Sequence, residues 1–239
     1  MKRVLLAGLL LLALALGVGG GYYTGDRLDT PEPTAEGTAG PLGEVTPSPS
    51  ETPSESPLPV KTPVPNNLEP LETGLEYARR TFTVDPKDFS PVQLAVDIPQ
   101  GWRLTRDPKA PGEVKFLDKL RERGVRVESD QPASMTPADH RAQLVIDLKK
   151  SQAPENDVRI LSETDNEQIL GDDGQPRTVS TLIYTFIPGE TVRYVIVRWI
   201  AMNDNPLATV EMSITGLPQD ADGLAEVLQH ATTSVHEVS

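Results

Sequence analysis

The segment Thr191–Met202 constrains the fold of this chain more than any other. Its apolar side chains alternate in an extended strand, with Val192, Tyr194 and Ile196 on one face and Val195, Val197 and Trp199 on the other. Both faces must be covered, because either one left in water would expose a row of large hydrophobic groups. The segment therefore predicts the central strand of a sheet that lies between two covering layers.

Further strands and two helices surround this segment. Alternating apolar residues predict strands at Arg80–Val84, Val92–Ile98, Glu113–Phe116, Val125–Glu128, within 157–169, and at Thr178–Ile187 and Ala208–Thr215. Thr136 followed by Pro137 predicts a helix that continues to about Ser151. A second helix, Asp220–Val235, carries apolar residues at helical spacing. This order predicts an α+β fold, a layered α/β/α sandwich with a central, mostly antiparallel sheet.

Residues 1–25 predict a transmembrane signal anchor. Val4–Tyr23 contains no charged residue, and a helix of that length spans roughly 30 Å, the thickness of a bilayer core. Lys2 and Arg3 precede it, a charge bias that places the N-terminus in the cytoplasm and the rest of the chain outside. The alternative is a signal peptide cleaved at Ala13–Ala15, followed by secretion. The chain has no cysteine, so it cannot be a lipoprotein attached through that residue.

Residues 26–70 have the composition of a disordered linker rich in Pro, Ser, Thr and Glu. The segment holds 11 of the 23 prolines and eight acidic residues, with Arg27 and Lys61 as its two basic residues. Its few isolated apolar residues cannot bury enough surface to offset the entropy lost on ordering. We expect an extended stalk that holds the remaining chain away from the membrane, and its glycosylation stays open.

Residues 71–239 are long enough for one domain with one hydrophobic core. Their formal charge is −9, within a chain of net charge −13. We therefore predict no nucleic-acid partner, because phosphate binding requires a basic face. The absence of cysteine also means that no disulfide supports this predicted extracytoplasmic domain.

The order of elements and the turn sequences between them in residues 80–235 resemble those of a known family. An early strand ends in Pro99-Gln100-Gly101-Trp102, a helix and a meander of long strands follow, and a Pro-Gln-Asp turn leads into the last helix before Thr233-Ser234-Val235. The pattern resembles actinobacterial secreted and membrane-anchored domains with the Mog/PsbP-like fold. The resemblance implies a fold and no catalytic residues, and it transfers neither the photosystem role of PsbP nor the GTPase-binding role of the Mog branch.

Histidine placement does not predict a catalytic or metal site. His230 and His236 are six residues apart and so do not share a helical face. His140 lies near a predicted helix start without a nucleophile motif or a metal partner, and we expect it to be a solvated first-turn residue.

Acidic residues could hold a cation at three places. Glu163, Asp165 and Glu167 alternate along a predicted strand end, and two turns, 171–174 and 203–205, are rich in Asp and Asn. Turn geometry explains the composition of both turns, since Asp, Asn and Gly tolerate the required dihedral angles. We predict no catalytic residue, no cofactor and no metal ligand.

One basic stretch stands out in this acidic chain. Five cations occupy a twelve-residue span, namely Lys115, Lys119, Arg121, Arg123 and Arg126. They could form a contact patch for an anionic partner such as a wall polymer, lipid headgroups or an acidic protein. The alternative is a solvated hairpin of mixed charge.

Two functions are favoured by the sequence, and regulation of an adjacent membrane complex through a ridge of Gly17, Gly21 and Gly25 is a weaker third. The first is a non-enzymatic, membrane-anchored binding or scaffold module that contacts an envelope protein or polymer. The alternative is a secreted enzyme or small-ligand carrier with a pocket between sheet and helix. The surroundings of Trp102, Tyr184 and Trp199 discriminate between them, because a pocket lined by these aromatics would favour the second and a filled core the first.

Overall fold

The computed structural model of the protein describes residues 59–238. The predicted anchor, Val4–Tyr23, and the predicted linker up to residue 58 lie outside the described residues. Within 59–238, no helix is both long and apolar enough to cross a membrane.

Ten strands and two α-helices form the described part of the chain. The strands are β1 (Tyr77–Val84), β2 (Val92–Pro99), β3 (Arg103–Thr105), β4 (Glu113–Leu117), β5 (Gly124–Ser129), β6 (Arg159–Leu170), β7 (Pro176–Phe186), β8 (Arg193–Ala201), β9 (Val210–Gly216) and β10 (His236–Glu237). The helices are α1 (Pro137–Ser151) and α2 (Ala221–Ser234), with short 3-10 turns at Pro154–Asn156 and Pro218–Asp220. The α+β class predicted from the sequence is confirmed.

The strands form two antiparallel sheets, whereas the sequence predicted one. The larger sheet has the order β3-β4-β5-β9-β8-β7-β6, in which the meanders β3–β5 and β6–β9 meet at the β5–β9 pair. The smaller sheet has the order β1-β2-β10, because β2 pairs both with β1 and with the last residues of the chain. The pairing of β2 with β10, which follows it by about 140 residues, is a non-local contact that alternation along one strand cannot reveal.

The two faces of the larger sheet are covered differently. Helix α1 packs on β6, β7 and β8 over one face, and we call this the α1 face. Helix α2 packs on β2, β8 and β9, so the opposite face carries both α2 and the smaller sheet. Strand β8 lies between these layers, with Ile196 in the core under α2 and Val197 in the core under α1. The predicted central strand with two buried faces is confirmed.

Each helix follows its local sequence signals. The Thr136 hydroxyl accepts a hydrogen bond from the Asp139 N–H (3.2 Å), which caps the first turn of α1, and Pro137 occupies the first helical position. Leu144 and Leu148 are its buried leucines, one turn apart. In α2, Leu224, Val227, Leu228 and Ala231 are buried at the predicted spacing.

Residues 59–76 cross one end of the larger sheet before β1, and we call them the strap. The Lys61 N–H donates to Glu155 O (2.9 Å), and the Val64 N–H donates to Glu190 O (2.8 Å). Further along, the Leu71 N–H donates to Asp220 Oδ1 (2.8 Å). Composition assigns residues 59–70 to the linker, whereas the structure joins them to the domain through these backbone groups.

The strap and α2 approach each other closely at Gly223. A β-carbon at this position would lie 2.5 Å from the Leu71 carbonyl oxygen. The glycine therefore makes room for the strap backbone on the surface of the helix. Leu71 and Leu75 then pack against the core under α2.

Candidate functional site

The five predicted patch residues lie in three different environments. Lys115 and Arg126 project from the α1 face, where they are cross-strand partners on β4 and β5. Arg123 lies at the base of the β4–β5 hairpin, while Lys119 and Arg121 are exposed in its turn. The structure thus does not bring the five cations together in one surface patch.

A buried charge cluster surrounds Arg126, whose side chain is 1% exposed. Its Nη1 lies 3.0 Å from Glu113 Oε2, and its guanidinium group also contacts Glu128 and Glu211. The Lys115 ammonium group lies 3.0 Å from Glu113 Oε1. Three carboxylates therefore share two cations. We call these five residues the Arg126 cluster.

Burial and the surplus of carboxylates together shift the pKa values in the Arg126 cluster. Burial alone would lower the pKa of Arg126, but Glu211, Glu128 and Glu113 raise it. Burial raises the pKa of Glu128 to about 7, because the opposing attraction of Arg126 is offset in part by Glu211 and Glu113. The cluster can therefore hold a proton near neutral pH, and this explains how one excess carboxylate is accommodated.

His140 extends this polar region, contrary to the prediction that it is solvated. Its side chain is 13% exposed, and its Nε2 lies 2.6 Å from Asp130 Oδ2. The imidazole stacks on Trp199 with ring centroids 6.1 Å apart, and the Trp199 indole N–H donates to Glu211 Oε2 (2.8 Å). Burial lowers the pKa of His140, but the hydrogen bond and charge of Asp130 raise it above its ordinary value. Sequence spacing could not reveal this contact. Asp130 lies in the loop before α1, and helical periodicity does not predict which side chain of a loop meets His140.

Arg123 has a structural role. Its Nη2 donates to Asp220 Oδ1 (2.8 Å), and it also donates to the carbonyl oxygen of Glu69 in the strap. Asp220 is fully buried and also accepts the N–H groups of Leu71 and Leu217. Burial raises the pKa of Asp220, but Arg123 and these backbone donors hold it below the usual value. Arg123 thus joins the hairpin, the strap and the start of α2.

The turn of the β4–β5 hairpin presents Lys119, Leu120 and Arg121 to solvent, and we call these three residues the basic tip. The Arg121 N–H donates to Asp118 O (3.2 Å), and Asp118 Oδ1 accepts the N–H groups of Glu122 (2.9 Å) and Arg123 (3.2 Å). These bonds order the turn. Leu120 is 55% exposed although it is a large apolar residue. The combination of a rigid turn, two exposed cations and an exposed leucine suits intermolecular contact.

Strand β3, next to β4, places one further cation and one further leucine beside the basic tip. Arg103 pairs with Leu117 at the end of β4, and both Arg103 and Leu104 are exposed, the latter by 41%. No ion pair joins Arg103, Lys119 or Arg121 to another residue in the range 59–238. The two acids of the hairpin are engaged elsewhere, Asp118 near Arg123 and Glu122 with Arg193 (2.7 Å).

The acidic segments are held by protein contacts. Arg141 of α1 bonds to Asp165 (2.7 Å) and also contacts Glu163. Asp173 Oδ1 accepts the Gln175 N–H in the β6–β7 turn (3.0 Å), and Asn203 has the positive φ of 57° expected of turn residues. No group of three potential metal ligands occurs within the described range.

The three diagnostic aromatics are buried in packed cores. Trp102 belongs to the core under α2, and Tyr184 and Trp199 belong to the core under α1. Two open cavities, of about 350 and 270 Å³, lie on either side of Pro63 in the strap. Val192 lines both cavities. They therefore lie between the strap and the larger sheet, whereas the pocket predicted from the sequence would lie between the sheet and a helix.

Comparisons with known proteins provide no identification. No protein-family model matches the chain, and no curated protein matches it. A solved structure of a protein of unknown function from Pseudomonas aeruginosa, PA94, described as a candidate regulator, aligns over 62% of this chain and 94% of its own. The two are 12% identical with a TM-score of 0.33, which does not establish a shared fold.

Proposed function

We propose that this protein is a non-enzymatic binding or scaffold module of the cell envelope. In this proposal Val4–Tyr23 anchors the chain in the membrane as a single pass, and the C-terminal domain is presented outside the cytoplasm. A long acidic linker would let the domain reach a partner at a distance from the anchor. The proposed partner is an anionic component of the envelope, and no nucleic acid takes part.

The basic tip carries this proposal. An exposed leucine between two exposed cations has no role in either core, and the turn that presents it is ordered by the Asp118 side chain. A turn whose backbone is already ordered loses little backbone entropy on binding, which favours its use in recognition. In a chain of net charge −13, a local surplus of positive charge also selects which part of the domain meets an anionic partner.

The packed aromatic cores favour a binding module over a pocket-bearing enzyme. Trp102, Tyr184 and Trp199 fill space between layers of the fold instead of lining a cleft. We further propose that these layers are those of an α/β/α sandwich of the Mog/PsbP-like kind. The support for this relation is the order of elements, with α1 and α2 on opposite faces of the larger sheet.

A small-ligand carrier is the second candidate, and the cavities beside the strap favour it. The larger one has a volume in the range of small-molecule sites and is lined in part by Phe186, Ile187 and Val192. Its polar lining includes Lys61, Arg159 and Asp157, which lies 2.6 Å from Arg159, and this mixed charge would suit a small polar ligand. A carrier of this kind would bind such ligands independently of the basic tip.

Charge reversal at the basic tip tests the proposal. Full-length chains carrying K119E and R121E would be compared with wild type for retention by envelope fractions at low and physiological salt. The matched control is K149E with K150E, which reverses two exposed cations at the end of α1. We expect retention to fall in the tip variant alone. Equal retention of all three proteins would contradict the proposal.

A further inference from the structure

We propose that the anionic partner is the membrane surface itself, which the domain contacts through a corner formed by Arg103, Leu104 and the basic tip. This inference rests on the proposed function and specifies its partner as anionic lipid. Arg103, Lys119 and Arg121 would bind headgroup phosphates, and Leu104 and Leu120 would enter the boundary between headgroups and acyl chains.

The exposed leucines distinguish lipid from a hydrophilic anionic polymer. A hydrophilic polymer offers nothing for Leu104 and Leu120 to bury against, so the cations alone would serve for it. A bilayer interface takes up apolar side chains and attracts nearby cations at once. Two leucines more than 40% exposed beside three cations without ion-pair partners in residues 59–238 therefore fit lipid better than a hydrophilic polymer.

The entry point of the chain lies at the same end of the domain as this corner. The strap begins beside Glu155, just before β6, and crosses toward Asp220 after β9. The β4–β5 hairpin lies at that same end, since Glu122 contacts Arg193 at the start of β8 and Arg123 contacts Asp220. The end that receives the chain from the predicted anchor is thus the end that bears the basic tip.

Tethering would raise the local concentration of this corner at the bilayer. If the predicted linker behaves as a coil, residues 26–58 would have an average end-to-end distance of about 30 Å, and if it is fully extended it would reach about 100 Å, so the anchor would keep the domain within reach of the bilayer in either case. Weak contacts are sufficient under such conditions, because the second binding event is intramolecular. The remaining acidic surface would be repelled by anionic lipid, and this repulsion would orient the corner toward the membrane.

A position-specific dye measures this contact in the full chain. Because the chain has no cysteine, L120C provides one labelling site at the basic tip, and I146C provides a matched exposed apolar site on α1. Each labelled chain is reconstituted with vesicles of phosphatidylglycerol and phosphatidylcholine in equal parts, or of phosphatidylcholine alone. The vesicles carry a lipid-attached quencher, and helical content is checked by circular dichroism.

We expect quenching at position 120 in the anionic vesicles, little in the neutral ones, and little at position 146 in either. Reversing three charges in the L120C chain, with R103E, K119E and R121E, should weaken the contact by more than roughly a hundredfold, because losing each cation costs about fivefold and each new carboxylate adds repulsion. High salt should also weaken the contact, because it screens the attraction between the cations and the lipid phosphates.

Three outcomes would overturn the inference. The first is no quenching at position 120 in the anionic vesicles. The second is equal quenching at positions 120 and 146, and the third is quenching at position 120 that charge reversal does not change. If envelope retention depends on Lys119 and Arg121 while the dye is not quenched, the proposed function stands with a protein or polymer as partner. If the fluorescence of the dye at position 120 changes when soluble polyphosphate is added in place of vesicles, the partner would be a polymer.

Discussion

Arg126 lies on the α1 face of β5 with Glu113, Glu128 and Glu211 against its guanidinium group. Burial of a charge is costly unless opposite charges surround it, and here the compensation exceeds the charge of the arginine. The same guanidinium group would be a good ligand for an external anion if it were exposed. Its chemistry is therefore used inside the fold, where it holds β4, β5 and β9 together.

Removal of this cation should destabilise the domain severely. R126M leaves three adjacent carboxylates, one buried and two partly buried, with Lys115 as the remaining cation, and we expect a loss of about 3–5 kcal/mol in the free energy of unfolding at pH 8. The measurement is urea unfolding of the detergent-solubilised chain followed by tryptophan fluorescence. Both tryptophans of the chain are buried in the domain, so the signal reports on the domain alone. R159M, on the surface, is the control and should leave stability unchanged, whereas equal losses would contradict the role of the cluster.

Stability should also rise as the pH falls from 8 to 6. The pKa of Glu128 is raised in the folded state to about 7, so the stability it contributes is fully present below the unfolded pKa near 4.5 and is lost as the pH rises through about 7. His140 acts with the same sign, because its pKa is also raised. We expect a difference of about 1–2 kcal/mol, limited by the 30% exposure of the Glu128 side chain.

The variant E128Q separates this effect from general acid sensitivity. It should gain stability at pH 8 and flatten the profile between pH 6 and 8, while the exposed control E72Q should keep the wild-type profile. Unfolding free energies measured across this range test the expectation. A wild-type profile in E128Q would show that the cluster does not hold the proton.

At the scale of elements, β6 shows how an exposed edge is protected. This strand is 12 residues long and exposed along nearly all of its length at the edge of the larger sheet. Register shifts after Ile160 and after Thr164, with Asn166 at a φ of 54°, interrupt the edge twice. Bulges and acidic side chains are common means of preventing edge-to-edge association. Glu163, Asp165 and Glu167, which the sequence marks as a potential cation site, thus fit a role in preventing association of this edge with another strand.

Helix α1 provides a test of a local signal. T136A removes the hydroxyl that accepts the Asp139 N–H, and we expect a loss of about 1 kcal/mol in the free energy of unfolding. The exposed Thr73 offers the control T73A, which should change stability little. The same fluorescence-monitored unfolding measures both variants. Equal effects would mean that the cap does not stabilise α1.

At the scale of the whole molecule, the strap determines where the chain enters the domain. Lys61 holds its first part, because its ammonium group donates to Asn156 Oδ1 (2.6 Å), Pro188 O (3.2 Å) and Ile187 O (3.3 Å). Leu71 and Leu75 hold its last part in the core under α2. Between them the contacts are mainly polar, so local opening should begin at the N-terminal end of the strap.

Hydrogen exchange tests this order of opening. K61M should speed amide exchange of residues 61–64 by roughly tenfold, corresponding to the loss of about 1–2 kcal/mol of hydrogen bonding, without affecting α2. The control K150M changes an exposed lysine at the end of α1 and should have no effect on the strap. Mass spectrometry of strap peptides gives the rates. Faster exchange throughout α2 in K61M would mean that the strap is a cooperative part of the core.

Most of the elements follow from local sequence, while their assembly does not. Alternation identified β8, and a Thr-Pro pair identified the start of α1, since both signals arise from neighbouring residues. The addition of β10 to the β1–β2 hairpin depends on residues about 140 positions apart in sequence, such as Ala95 and His236. The basic stretch was visible as a cluster of charge, but its division into buried, paired and exposed cations depends on the partners that each cation meets.

The sequence alone determined the α+β class, the two-sided burial of β8 and the limits of its helices, because these depend on periodicity and capping over a few residues. Tertiary structure decided the rest. It buried Arg126 among glutamates, paired His140 with Asp130, and left Lys119 and Arg121 exposed on a turn beside Leu120. The physical reason is that burial and ion pairing depend on contacts between distant segments, which a one-dimensional pattern of charges does not specify.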